Sequence, residues 1–294
     1  MSSHRLWKSW WVQALAGTLL CAAAQAATNP DVDTCIKADG DAALPACDSV
    51  IASHPSSDIA ADAYYARGLM EDRKGQVDAA FDDYSKAIEY APNFDYALHN
   101  RAMIYDMRGN YAAAIADFTE AIKANPIGGH FYNRARAYFH AGQYRNAAND
   151  DTVAEALWFY TPVHAYTLAA RCQALAARGV DLGDAREDCE NAVSSKPANP
   201  MYLTIRALVR YRQQDFSGAA ADAAAAVAAP DANWVQGWSA HAPILEVQLA
   251  DALYLKGLSE VRLGKVKDGQ PDIAAAIRQR ASVQSDYAKI GVAL

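Results

Sequence analysis

The chain lacks any excess of basic charge: 27 Lys and Arg stand against 34 Asp and Glu, a formal net charge of −7. Binding a nucleic-acid backbone takes clustered cations that displace its counterions, so the balance speaks against that partner. Long apolar runs are missing as well. The N-terminal apolar stretch from Val12 to Ala24 is Ala-rich and interrupted by Gln13 and Thr18. It falls short of the about 20 predominantly apolar residues that span a bilayer. Catalytic signatures are absent too: there is no G-x-x-x-x-G-K-[ST], no G-x-G-x-x-G, no H-E-x-x-H and no G-x-S-x-G. His54, His99, His130, His140, His164 and His241 contain no i, i+4 pair and so suggest no metal site. Neither an enzyme nor a cofactor is expected.

What is present is enough apolar chain for a large core. At 52% hydrophobic and 21% charged, the sequence is neither disordered, collagen-like nor a disulfide-dominated miniprotein. Residues 1–26 read as a secretory signal: basic Arg5 and Lys8, the apolar run, then the small-x-small close Ala24-Gln25-Ala26. The competing reading is an uncleaved anchor. A lipoprotein signal through Cys21 is disfavoured by Leu20 before it, and no twin-Arg pair is present. Cleavage after Ala26 would remove two cations and no acid, taking the net charge to −9, and would leave no membrane span. Four cysteines would remain in an oxidising compartment, where disulfides are the default. Proximity favours Cys35 with Cys47 and Cys172 with Cys189, 12 and 17 residues apart. The bland alternative is four buried thiols, and neither spacing fits a redox or zinc motif.

The rest of the chain repeats. Arg67, Arg101, Arg134, Arg171 and Arg206 recur at intervals of 34, 33, 37 and 35 residues. Asp83, Asp117, Asp150, Asp188 and Asp222 trail them by 16, 16, 16, 17 and 16, and Lys256 with Asp272 offers a degenerate sixth copy. Gly75, Gly109, Gly142, Gly179 and Gly264 fall between the two series, where a helix would end on a glycine cap. Such a period means an array of two-helix units. Arg and Asp, each about eight residues from the turn, would lie at one height on antiparallel helices, so an ion pair is possible in every unit, within it or to the next one; the competing reading, a ladder of arginines for an acidic ligand, is disfavoured by the acid beside each one.

Within 61–94, Tyr64, Gly68, Ala80, Tyr84, Ala87 and Pro92 form a pattern repeated in 95–128 by Leu98, Ala102, Tyr105, Ala114, Phe118, Ala121 and Pro126. On these residues the sequence resembles the tetratricopeptide repeat family, in the manner of an exported bacterial member. Small residues let helices approach, aromatics fill the space beside them, and proline ends the second helix. Later copies at 128–161, 165–198, 200–231 and 250–283 degrade: Asp151 stands where the aromatic belongs, Cys172 and Cys189 take two packing positions, and the fifth turn has no glycine.

The resemblance implies an all-α solenoid, a right-handed superhelix of stacked helix-turn-helix repeats over 61–283. A capping hairpin is expected at 27–60, an insertion at 232–249 and a capping helix at 284–294, since terminal repeats need cover. It also implies that first helices line the concave surface. Their non-core residues, Tyr65, Leu69, Tyr96, His99, Asn100, Met103, Tyr132, Asn133, Arg136, Phe139, Tyr211 and Arg212, are the candidate partner-binding face; Tyr, Arg and Met are favoured at interface hot spots. The competing reading is ordinary inter-repeat packing. Asn100 and Asn133 lack the lysines of a carboxylate clamp, so that ligand is not expected. The expected function is a non-catalytic scaffold in the bacterial periplasm, holding a protein or peptide segment in the groove. One alternative is a small-ligand or glycan recognition protein using Trp234 and Trp238 of the insertion, and a second is an enzyme using groove side chains such as His99, His140 and Asp106.

Overall fold

The computed structural model describes residues 30–37, 43–158, 164–229 and 249–293. The signal, Cys21 and the Trp234/Trp238 insertion lie outside them. The protein is all-α, of the solenoid class, with fifteen helices and no strand among the described residues. The chain divides into two compact units, one ending at Pro92 and the other beginning at Asn93.

In the first unit, α1 (Pro30–Lys37) and α2 (Ala43–Ala52) precede a longer hairpin, α3 (Ser57–Arg73) and α4 (Val77–Tyr90). Cys35 and Cys47 join α1 to α2, their sulfurs 2.14 Å apart. Both are fully buried in a cluster with Val50, Ala63, Ala66 and Met70, so the staple is also core. In the hairpin, a Cβ on Gly68 would come within 2.9 Å of the Tyr84 ring. The glycine is what lets the buried tyrosine lie flat against α3.

The second unit contains five hairpins. They are α5 (Asp95–Met107) with α6 (Tyr111–Ala124), α7 (Gly128–His140) with α8 (Tyr144–Trp158), α9 (His164–Arg178) with α10 (Leu182–Ser195), α11 (Pro200–Arg212) with α12 (Phe216–Val227), and α13 (Leu249–Arg262) with α14 (Val266–Gln279). The short α15 (Val283–Lys289) follows. Each first helix touches the next first helix, from α5 through α7, α9 and α11 to α13. Second helices stand behind them, each against the first helix of the following hairpin. Two layers result, with the alanine-rich faces of both buried between them.

Each hairpin from α3–α4 to α13–α14 is locked by a charged pair at the period read from the sequence, and the pair closes within the hairpin. Arg67 grips Asp83 with Nε and Nη2, both at 2.7 Å. The same two-pronged grip joins Arg101 to Asp117, Arg134 to Asp150, Arg171 to Asp188 and Arg206 to Asp222. In the last hairpin Lys256 reaches Asp272 at 2.5 Å with a single point charge. The aspartates are largely buried, so the planar fork supplies both the compensating charge and the orientation.

Within the hairpins from α3–α4 onward, all the turns but that between α9 and α10 share one geometry. Gln76, Asn110, Gln143 and Lys265 each donate a backbone N–H to the carbonyl five residues earlier, after a glycine in the left-handed region. Asp215 makes the same bond in the fifth turn, where Gln214 takes the left-handed position at φ 64° in the absence of glycine. In the last hairpin, a Cβ on Gly257 would lie 2.6 Å from the Gly269 carbonyl, so the two backbones meet directly. Cys172 and Cys189 replace packing residues of the fourth hairpin, with their sulfurs 2.07 Å apart across α9 and α10.

Candidate binding face and cavity

Helices α5 and α7 bring most of the expected face together. Tyr96 is the most open of these side chains, 49% exposed, and its ring meets His130 edge-on at 6.3 Å. His99, one turn further along α5, shares a hydrogen bond with His130 through their Nδ1 atoms, 2.8 Å apart. The His99 ring also stands edge-on to Phe118. His130 faces Asp95 at 3.4 Å, and the Asn125 side chain donates to the same carboxylate at 2.8 Å. Burial, then the neighbouring His130 and Arg136, pushes the His99 imidazole down to about 3. Burial also lowers His130, with Asp95 opposing. The pair is therefore neutral at ordinary pH, one ring donating and the other accepting.

Deeper on α7, Arg136 is buried. It donates from Nε to Asp106 at 2.9 Å and from Nη2 to the Met103 sulfur at 3.1 Å. Asp106 also accepts from His140 at 3.0 Å. Burial opposes ionisation of Asp106, but His140 and Arg136 outweigh it and hold the carboxyl below its usual range. Tyr132 is buried too, and its phenol is raised by burial first, then by Asp151. Asn133 donates to the Gly129 carbonyl at 2.9 Å, which ties its amide to its own helix. Asn100 and Met103 are half-buried on α5, and Phe139 is half-buried against Tyr144, with ring centroids 5.1 Å apart. Tyr65 belongs to the first unit, tilted onto Tyr84.

Tyr211 and Arg212, expected on an open face, hold the segment that follows α15. Arg212 donates to the carbonyls of Ala177 and Ile290. Tyr211 donates to Ala293 at 3.2 Å, and Arg262 reaches the same Ala293 carbonyl at 3.0 Å. The segment after α15 thus lies against α11 and α13, and Tyr287 of α15 is buried on Tyr254.

Between α7, α9, α11 and α15 is a cavity of about 340 Å³. Its wall includes Tyr132, Arg136, Phe139, Thr204 and Tyr287, and it also includes Asp151 from α8. Asp151 is 2% exposed, and its Oδ1 makes no hydrogen bond. Burial, reinforced by Asp150, raises its carboxyl well above the usual range despite Arg171. The sequence flagged Asp151 as misplaced, but the cavity it faces depends on α11 and α15, which are distant in sequence. Among the described residues no cluster of three or more His, Cys, Asp or Glu is arranged to hold a metal. No described helix is long and apolar enough to cross a membrane.

Paired helices in register, each locked by its own ion pair, define a helical-repeat protein. Family models described as tetratricopeptide repeat match residues 61–94 and 95–127, so the chain carries tetratricopeptide repeats there. No curated protein matches the sequence. Solved structures are similar in fold. A tetratricopeptide repeat protein from Parabacteroides merdae aligns over 85% of this chain and 92% of its own, at TM-score 0.59 and 15% identity. PilW, a type IV pilus biogenesis factor, aligns over 76% of this chain and 97% of its own, at TM-score 0.59 and 16% identity. YrrB, a repeat protein with an unusual peptide-binding site, aligns over 63% of this chain and 92% of its own, at TM-score 0.55 and 17% identity. Proteins of this family are generally non-catalytic interaction scaffolds.

Proposed function

We propose that this protein is a scaffold of the bacterial cell envelope that holds a segment of a partner protein along its first-helix face, without catalysis. The observation that carries the reading is the α5–α7 surface: exposed Tyr96 stands beside half-buried His99, Asn100 and Met103, with Tyr96 and His99 backed by His130 and Met103 by Arg136. Aromatic side chains anchored on a rigid backing give contact area at little ordering cost. The signal-like residues 1–26 and the two cysteine pairs at bonding distance support an envelope setting. Likeness to the pilus factor PilW is compatible with it.

A photo-crosslinking residue at Tyr96, compared with one at Val153 on the second-helix layer, tests the face directly. Adducts from Tyr96 and none from Val153 support the reading. Adducts from Val153 alone would move the contact to the other layer. The same experiment in fractionated cells tests the compartment.

A further inference from the structure

We propose that the cavity between α7, α9, α11 and α15 is a binding pocket for a neutral primary carboxamide, held by Asp151 and Arg136. Two independent observations point into it. Asp151 is almost wholly buried with Oδ1 unpaired, at a position where the preceding hairpins carry Tyr84 and Phe118. Arg136, also buried and lining the same wall, spends Nε and Nη2 on Asp106 and leaves Nη1 without a partner. A buried acceptor or donor left unmade is costly, so two on the wall of one cavity call for an occupant that satisfies both.

The chemistry narrows that occupant. Arg136 can only donate, so the ligand presents an oxygen. A cation would meet Arg136. A carboxylate would be stripped of water beside Asp151, with Asp150 nearby, and the wall also carries Asp251 and Asp286 together with Arg280 and Lys289, so its charges are of both signs. The ligand is therefore neutral. Burial raises the Asp151 carboxyl well above its usual range, and in its protonated form such a carboxyl can donate and accept at once. A primary carboxamide meets a carboxylic acid through two parallel bonds, N–H to the carboxyl and O–H to the amide oxygen. That amide oxygen has a second lone pair for Nη1 of Arg136. Ala135, Ala170, Ile205 and Leu208 give the pocket an apolar wall suited to the methylenes that carry such a group. At about 340 Å³ the space is at the small end of ligand pockets, about 300–1,000 Å³, and suits one side chain or a small free amide.

The amide could come from Asn or Gln of the segment held in the Proposed function, and to that extent the inference rests on that reading. It could equally be a free molecule. Ala-Gln-Ala, Ala-Glu-Ala, Ala-Leu-Ala, Ala-Thr-Ala and free propionamide would be titrated into the full chain and followed by amide NMR shifts around Asp151 and Arg136. The Gln peptide is expected to saturate those signals at least about tenfold below the Glu, Leu and Thr peptides. Asp151→Leu, which removes a buried carboxyl and should fold at least as firmly, is expected to abolish that preference. Saturation by propionamide with no response to the Gln peptide would keep the pocket and assign it to a free amide. Equal responses to Gln, Leu and Thr, or none to any amide, would overturn the proposal and leave the Tyr96 crosslink untouched. Loss of the crosslink with Gln selectivity intact would sink the scaffold reading alone.

Discussion

The second hairpin (α5–α6) and the third (α7–α8) are built on one plan and filled differently. Both are closed by the same two-pronged pair, Arg101 with Asp117 and Arg134 with Asp150. Both place small residues where the helices cross, Ala102 and Ala114 in one, Ala135 and Ala147 in the other. At the space beside the crossing, the second hairpin seats a fully buried Phe118 against Ala102, Ala114 and Ala137. The third seats Asp151 and borders a cavity. Hairpin geometry is therefore set by the ion pair, the turn and the small residues, while the packing position can be given over to polar chemistry. An aromatic there supplies burial, and an aspartate gives that up.

Breaking the filled hairpin should have the largest effect. Phe118→Ala is expected to cost about 3–5 kcal/mol, read as a fall in the urea midpoint, because the alanines around it cannot move in to close the gap. A loss under about 1 kcal/mol would mean that the packing position matters little even where it is filled.

Acid should separate the hairpins next. An unfolded histidine takes its proton near pH 6.5, while His99 in the folded protein resists protonation down to about 3. The unfolded state therefore binds more protons across that window, and stability falls as pH falls, by at most about 1.4 kcal/mol per unit from this group. Asp151 acts in the opposite sense, since its raised folded pKa favours the folded state on acidification. Urea midpoints at pH 7.5 and 4.5 should show a shallower decline for His99→Gln than for the parent and a steeper one for Asp151→Leu.

At neutral pH, Asp151→Leu should raise stability by about 1–3 kcal/mol, since a buried group with an unmet oxygen is replaced by one that needs none. Destabilisation would show that Asp151 is satisfied as it stands. The smallest effect is expected at the fifth turn. Gln214→Gly relieves a left-handed non-glycine residue, and the net gain should be under about 1 kcal/mol because glycine is freer when unfolded.

The repeat, its turns and its charged pairs were legible because each is local. Arg67 and Asp83 lie on one hairpin, and a spacing of 16 residues across a known turn sets both at one level. The fifth turn was harder, since Gln214 does a glycine's work without the glycine that would announce it. Contacts between hairpins were not legible. His99 and His130 are separated by 31 residues, and nothing in either marks them as partners. Tyr211 and Arg212 have the composition of a contact face, yet they bind the carbonyls of Ile290 and Ala293, which periodicity on α11 cannot reveal. Asp151 stood out as a break in pattern. Its cavity did not, because the opposing walls come from α11 and α15.

The closure of every Arg–Asp grip inside its own hairpin bears on how such a chain can change length. Adding or deleting one whole hairpin brings or removes both partners of its grip together, so the grips themselves strand no charge, whereas the buried pair Arg136–Asp106, which runs from α7 to α5, would be broken by loss of either hairpin. Had the grips run from one hairpin to its neighbour, each such event would orphan a charge at the seam. Growth by duplication thus leaves every grip whole, and the contacts between successive hairpins, charged ones such as Arg136–Asp106 included, have to be rebuilt.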